Sequence, residues 1–157
     1  MGLAKLLHYA LVLLASAATL MVGVCKITPD FDADVHKEMV TGFEEFTRIW
    51  TENFFGKYEF PAPLDALAAW LQDATNFRLY AGYQCIAAAS ALLLGSLLGV
   101  GALRGLALLA LVFHFAAATL THYWLSEDLS PPMSFLALLG LIILTMPAGK
   151  ATKAKAS

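Results

Sequence analysis

The sequence predicts an all-α membrane protein: a four-transmembrane-helix bundle with an amphipathic helix in the loop between spans one and two. Hydrophobic residues fill 59% of the 157 positions and charged residues 14%, and the mean hydropathy is +0.69. Soluble domains usually carry about 25% charged residues. The apolar residues form four stretches, at about 3–24, 77–100, 106–125 and 132–147. A single membrane domain, residues 1–157, accounts for this pattern.

The first apolar stretch, residues 3–24, has the length of a membrane span, because about 20 apolar residues cross a bilayer as a helix. It is longer than the apolar core of a cleaved secretory signal. Small side chains recur at every fourth position, at Ala15, Thr19 and Gly23. This spacing places them on one helix face, where a neighbouring helix can approach closely.

The second stretch, residues 77–100, carries a longer stripe of small residues, at Ala87, Ala91, Gly95 and Gly99. A stripe that ends in a GxxxG pair indicates a helix that is central to packing. Two interpretations stay open. Either the stripe packs inside the bundle, or Gly95 and Gly99 contact a helix of a partner protein.

The third stretch, residues 106–125, contains His114 near its middle, and the second contains Gln84. Polar groups inside a membrane commonly mark a functional site or an interhelical hydrogen bond, and an interhelical bond is the prediction for His114. The fourth stretch, residues 132–147, is bounded by prolines on both sides. A helix this short crosses only a thin or locally thinned bilayer.

The loop between the first two spans, residues 30–75, is too long to be structureless in a compact domain. Large apolar residues recur there at steps of three and four, at Val35, Met39, Phe43, Phe46, Trp50 and Phe54. This pattern predicts an amphipathic helix from about Asp34 to Phe55. Its aromatic face lies either over the bundle mouth and the lipid headgroups or on a partner protein, and the partner-contact candidates are Phe43, Phe46, Trp50 and Phe54. A second, shorter helix is predicted after Pro63.

The charges predict an orientation. All twelve acidic residues lie in the segments on one side of the four predicted spans. The other side holds the N-terminus, the short turn between spans two and three and the basic tail 148–157, and it contains only basic charges. Loops rich in Lys and Arg stay on the cytoplasmic or matrix side. Both termini are therefore predicted to face the cytosol or the mitochondrial matrix.

Residues with catalytic chemistry are few in this sequence. It contains no nucleophile elbow, phosphate-binding loop or pair of intramembrane carboxylates, and its two cysteines show neither a CxxC nor a zinc spacing. A bis-histidine haem needs two imidazoles at equal depth, whereas His8 and His114 differ in depth by about 7 Å. The sequence therefore predicts no enzyme, no cofactor and no bound metal.

The residues that close the first span form a motif, GVCKITP at 23–29, which an amphipathic helix follows. The motif resembles the G-x-x-K-L-(T/S)-P signature of the transmembrane protein 35 group. That group includes the nicotinic acetylcholine receptor chaperone and belongs to the DoxX-like superfamily. Further similarity follows in the same order over about three quarters of the chain, at Phe55-Gly56, Pro63-Leu64, Asn76-Phe77 and Phe113-His114.

The sequence departs from the family pattern in two places. Gln84 or Cys85 stands where the group tends to carry a glutamate, and residues 65–75 resemble an insertion. The resemblance implies a four-span protein that assists the assembly of other membrane proteins without catalysis. Bacterial DoxX relatives have been linked to sulfur and quinone redox chemistry, so a redox or lipid- or quinone-binding protein is a further alternative.

The last five residues place Lys153 and Lys155 in a K-x-K-x-x pattern, which resembles an endoplasmic-reticulum retrieval signal. This pattern favours an assembly factor or chaperone in the endoplasmic-reticulum membrane. The alternative is an accessory structural subunit of a large multi-subunit complex, for example in the mitochondrial inner membrane. The expected partners are the lipid bilayer and other integral membrane proteins, and no nucleic acid.

Overall fold

A computed structural model describes residues 2–146, and within them the chain is helical and contains no strand. The α-helices of this part are α1 (Leu3–Ile27), α2 (Ala33–Trp50), α3 (Ala62–Leu71), α4 (Ala74–Leu97), α5 (Gly101–Trp124) and α6 (Ser130–Leu144). Helices α1, α4 and α5 are long and apolar enough to cross a membrane. The prediction of an all-helical fold is therefore confirmed for the described residues, and the three long apolar helices indicate a membrane protein.

Helix α6 is apolar but has only 15 residues, so it is roughly 22 Å long. The hydrocarbon core of a bilayer is about 30 Å thick. The four-span count therefore stays a prediction. Inside the chain, α6 contributes Leu139 and Ile142 to the main hydrophobic core, where they pack with Val12 of α1, Leu92 of α4 and Leu111 of α5.

The observed helix ends differ from the predicted span ends by several residues, because local capping contacts and not the apolar run determine where each helix begins and ends. Helix α4 begins before residue 77 because the Asp73 side chain accepts a hydrogen bond of 2.9 Å from the backbone N–H of Asn76. It ends before Gly99, whose φ of +71° is readily adopted only by glycine. Helix α5 consequently begins at Gly101, ahead of the predicted 106.

The start of α6 is also capped from outside the apolar run. The Asp128 carboxylate accepts hydrogen bonds from the Ser130 hydroxyl at 2.6 Å and from the Ser130 amide at 2.9 Å. These bonds hold the pKa of Asp128 below its ordinary value. Two prolines then occupy the first helical turn, where their missing N–H groups cost no hydrogen bond. The helix ends at Leu144, before the predicted 147.

Helices α1 and α4 cross at two glycines. A Cβ added to Gly23 would lie 3.0 Å from the Gly82 carbonyl oxygen, and one added to Gly82 would lie 3.1 Å from the Gly23 carbonyl oxygen. Ala15 and Thr19 are buried on the same face of α1. The small-residue face predicted for the first span is therefore confirmed, and its role is contact within the chain.

The small-residue stripe predicted for α4 is only partly buried. A Cβ on Gly95 would lie 2.8 Å from the Arg104 backbone nitrogen, so Gly95 packs against the start of α5. Ala87 and Gly99, in contrast, are exposed. The buried face of α4 is shifted by one position along most of the helix, to Ala81, Cys85, Ala88, Ala89, Leu92 and Ser96.

Helix α2 lies across the end of the bundle. Helix α1 stops beside Gly82, so the first residues of α4 project beyond it by roughly 12 Å. The predicted helix to Phe55 is observed as α2, which ends at Trp50, followed by a π-helical turn over Thr51–Phe55. The His36 Nδ1 atom donates a hydrogen bond to the Cys25 carbonyl oxygen at 2.7 Å, and this bond connects the start of α2 to the end of α1.

The short helix predicted after Pro63 is observed as α3, whose first turn contains that proline. Ala68 and Leu71 are buried, whereas the other large apolar residues of α3 are exposed, namely Leu64, Leu67 and Trp70. Asp73 caps the start of α4, so the two helices are separate elements.

Candidate functional site

A cavity of about 570 Å³ lies where α2 crosses the projecting ends of α4 and α5. Its walls are mainly aromatic and come from five helices and the π-helical turn, with Phe43, Phe46, Trp50, Phe55, Phe77, Phe113, Phe115 and Phe135 among the lining residues. Pockets that bind small molecules are typically about 300–1,000 Å³, mostly apolar, with a few polar groups. This space, the aromatic cavity, has those properties.

Four polar side chains meet beside the aromatic cavity, and they are here called the polar cluster: Lys26 of α1, Gln84 and Cys85 of α4, and His114 of α5. The His114 Nε2 atom lies 3.2 Å from Lys26 Nζ and 3.2 Å from Cys85 Sγ. The other ring nitrogen, Nδ1, lies 3.1 Å from Gln84 Oε1. Three of the four, Lys26, Gln84 and His114, line the cavity itself.

The hydrogen-bond partners of His114 determine which ring nitrogen carries the proton. An amide oxygen can only accept, so Nδ1 donates to Gln84 Oε1. In the neutral ring, Nε2 is then an acceptor, and both Lys26 and Cys85 can donate to it. The predicted interhelical hydrogen bonding of His114 is thus observed, and it joins all three long helices.

The close crossing of α1 and α4 positions Lys26. A Cβ on Gly82 would lie 3.1 Å from the Lys26 Cβ, so the absence of a side chain at Gly82 leaves room for the lysine stem. Lys26 is only 7% exposed, and its Nζ also lies 3.8 Å from Cys85 Sγ. The Arg78 side chain donates to the Lys26 carbonyl oxygen, which satisfies an acceptor at the end of α1.

The charges of the polar cluster do not balance within residues 2–146. No Asp or Glu in this part of the chain lies within 4 Å of Lys26, and the observed ion pairs involve Arg48 and His122 instead. The Lys26 Nζ lies 5.6 Å from the centre of the Phe43 ring, which offers a weaker attraction. A buried amine is thus held by neutral groups only.

Trp50 fastens α2 over the aromatic cavity. Its indole N–H donates to the Thr121 hydroxyl at 2.7 Å, and Thr121 in turn donates to the Ala117 carbonyl oxygen at 2.9 Å. The indole also packs edge to face against Trp124, with ring centres 5.2 Å apart. Phe43 makes a similar contact with Phe77 at 5.6 Å. Contacts of this type stabilise by about 1 kcal/mol beyond the burial of apolar area.

The cavity reaches the outer surface of the bundle beside α5. Phe113 lines it and is 67% exposed, and Tyr80 of α4 lines it and is also exposed. Phe113 lies near the middle of α5, a helix long and apolar enough to cross the membrane. An opening at that position would face lipid hydrocarbon where α5 crosses a membrane.

The structure separates the residues that the sequence singled out. Phe43, Phe46 and Trp50 line the cavity together with Gln84 and His114, so these five belong to one site. Phe54 lies outside it and packs against Tyr58 and Phe60, and Gly95 and Gly99 lie at the opposite end of α4. Lys153 and Lys155 fall outside the described residues.

The sequence alone indicates no role for Lys26 or Cys85 in a binding site. Lys26 stands in the GVCKITP motif, and a lysine directly after an apolar run ordinarily reaches the membrane surface. The signal that could have identified it is the glycine three positions earlier, since a close helix crossing there brings the next turn against α4. Within residues 2–146, no group of three His, Cys, Asp or Glu side chains could hold a metal ion.

Comparison of the chain with protein-family models, with curated proteins and with solved structures finds no match. The resemblance to the transmembrane protein 35 group therefore stays a hypothesis that rests on its motifs.

Proposed function

We propose that this chain is an integral membrane protein that binds, without catalysis, an apolar small molecule with one polar end, taken up from the bilayer. One observation carries the proposal: an aromatic cavity that opens beside Phe113 ends at a cluster of hydrogen-bonding side chains. The aromatic walls suit an apolar body, and the cluster suits a polar end.

The same observation favours ligand binding over the assembly role that the family resemblance implies. Three of the four aromatic residues expected to contact a partner line the cavity, and Trp50 is held there by a hydrogen bond to Thr121. The side chains of the polar cluster are hydrogen-bonded to one another, notably His114 to Gln84 and Lys26. Groups held in this way fix the orientation of a ligand.

Filling the cavity should abolish binding. In nanodiscs, the wild-type protein should bind dodecanol, and Ala118→Phe should lose this binding because the new ring occupies space that Ala118 lines. Ala116→Phe is the matched control, since Ala116 is exposed on the same helix and does not line the cavity. Equilibrium dialysis against empty nanodiscs measures the binding. Equal binding by both variants, or none by the wild type, would contradict the proposed function.

We further propose that α6 completes a four-span bundle with both termini on the cytosolic or matrix side. The basic charges near the chain ends and at Arg104 support this orientation. The endoplasmic reticulum is the favoured membrane because of the Lys153 and Lys155 pattern, and the mitochondrial inner membrane is the alternative.

Cysteine labelling from one side of intact vesicles should test the topology. Lys5→Cys and Ser157→Cys should react together, whereas Asp65→Cys should react only from the opposite side. The native Cys25 and Cys85 are buried, so the background should be low. If Ser157→Cys reacts together with Asp65→Cys, α6 does not cross the membrane and the chain has three spans.

A further inference from the structure

The polar cluster contains an amine that has no anionic partner in the described part of the chain. Lys26 is 93% removed from solvent, and its nearest polar neighbours are an imidazole and a thiol. A buried lysine is usually paired with a carboxylate. All twelve carboxylates of the protein lie in other segments, outside the long apolar helices.

Two side chains of the polar cluster carry N–H hydrogens that have no acceptor in the described part of the chain. A protonated lysine amine has three, and those of Lys26 meet His114 and Cys85 but no third nitrogen, oxygen or sulfur atom within the described residues. The Gln84 amide has two and directs one to the Ala110 carbonyl oxygen over a long 3.4 Å. Both side chains line the cavity and both contact the His114 ring, so one ligand group beside that ring could reach the two donors.

We propose that the ligand of the aromatic cavity is a long-chain monocarboxylate, whose carboxylate is bound by Lys26 and Gln84 and whose alkyl chain lies among the aromatic walls. This inference rests on the proposed function and specifies its ligand. The carboxylate has two oxygens for the two donors, and it supplies the negative charge that Lys26 lacks.

The donor set distinguishes a carboxylate from other polar ends. An alcohol or a ketone accepts hydrogen bonds but brings no charge to Lys26. A phosphate monoester brings a charge of about −1.5 to −2 and three acceptor oxygens, more than one lysine and one amide can satisfy in an apolar site. The alkyl chain would enter from the hydrocarbon layer by the opening beside Phe113, which lines the cavity and is exposed.

A direct test compares three probes with the same twelve-carbon chain. Laurate, dodecanol and dodecyl phosphate are titrated at pH 8 into nanodiscs of phosphatidylcholine that hold the full-length protein, with empty nanodiscs as the reference. Laurate should bind at least about tenfold more tightly than dodecanol, which is what one charge-assisted hydrogen bond supplies. It should also bind more tightly than dodecyl phosphate. Equal affinity of laurate and either other probe overturns the inference, and this comparison needs no variant.

The variant Lys26→Met should remove the preference for laurate over dodecanol, because it should lower the affinity for laurate more than the affinity for dodecanol. Methionine keeps approximately the length and apolar volume of the lysine stem, and it removes the N–H donors and the charge of the amine. Lys57→Met is the matched control, because Lys57 is exposed and outside the cavity, and it should keep the preference. If Lys26→Met retains the preference, the carboxylate is not bound by Lys26. If neither laurate nor dodecanol binds the wild type, the proposed function itself fails.

Discussion

Replacing Gly23 with Val should strongly destabilise the protein. The new Cβ would lie 2.9 Å from Ile86 Cγ1 and 3.0 Å from the Gly82 carbonyl oxygen, and backbone cannot move aside as a flexible side chain can. Overpacking a well-packed interior costs typically 1–3 kcal/mol, and we expect about 3 kcal/mol here because both contacts lie at one crossing. The polar cluster should also open, since the same crossing positions Lys26.

The free energy of unfolding in mixed detergent micelles measures this effect, and laurate binding in nanodiscs reports on the cluster. Gly105→Val is the matched control, because Gly105 is helical and a Cβ placed there meets no other packed group within 4 Å in the described part of the chain. Its stability should change only by the small difference in helix propensity. Similar losses in the two variants would show that backbone propensity, and not the crossing, is responsible.

Replacing Trp50 with Ala should release α2 from the end of the bundle. The substitution removes the hydrogen bond to Thr121 and the edge-to-face contacts with Phe77 and Trp124. Truncation of a packed tryptophan costs about 3–5 kcal/mol, and we expect about 3 kcal/mol because the ring is only half-buried. Trp50→Phe keeps most ring contacts and should lose about 1 kcal/mol, the worth of the hydrogen bond.

Hydrogen exchange of the amides in α2 is the direct measurement for Trp50→Ala, and their protection should fall while that of α1, α4 and α5 persists. Trp70→Ala is the control, because Trp70 on α3 is 45% exposed and makes no such hydrogen bond. A different result would support the assembly role. If α2 stays protected while co-purification of another membrane protein is lost, Trp50 contacts a partner.

Hydropathy predicts much of this fold because a membrane span needs a long apolar run, and each of the three long helices contains one. Helix ends are less predictable from hydropathy, since they depend on single capping contacts such as that of Asp73 with Asn76. The helical period also places Phe43, Phe46 and Trp50 on one face of α2. It does not specify what that face contacts, which depends on how far α4 and α5 project beyond α1.

The polar cluster is harder to predict for a physical reason. His114 and Gln84 are polar residues within apolar runs, and this contrast makes them visible in the sequence. Lys26 and Cys85 carry no such contrast, because a lysine at the end of a span and a cysteine within one are both ordinary. The contact between these two side chains depends on the helix crossing at Gly23 and Gly82. Lys26 and Cys85 are 59 residues apart in the sequence, so the sequence alone does not show that they meet.

An opening to lipid beside Phe113 would determine which concentration of ligand the proposed site responds to. A site that opens to hydrocarbon exchanges with molecules already dissolved in the membrane, so its occupancy follows their mole fraction among the lipids. Two cells with the same aqueous level of an amphiphile would then fill the site differently if their membranes dissolve it differently. The affinity of such a site would be properly expressed per lipid molecule, and a smaller amount of lipid at a constant amount of ligand should raise its occupancy.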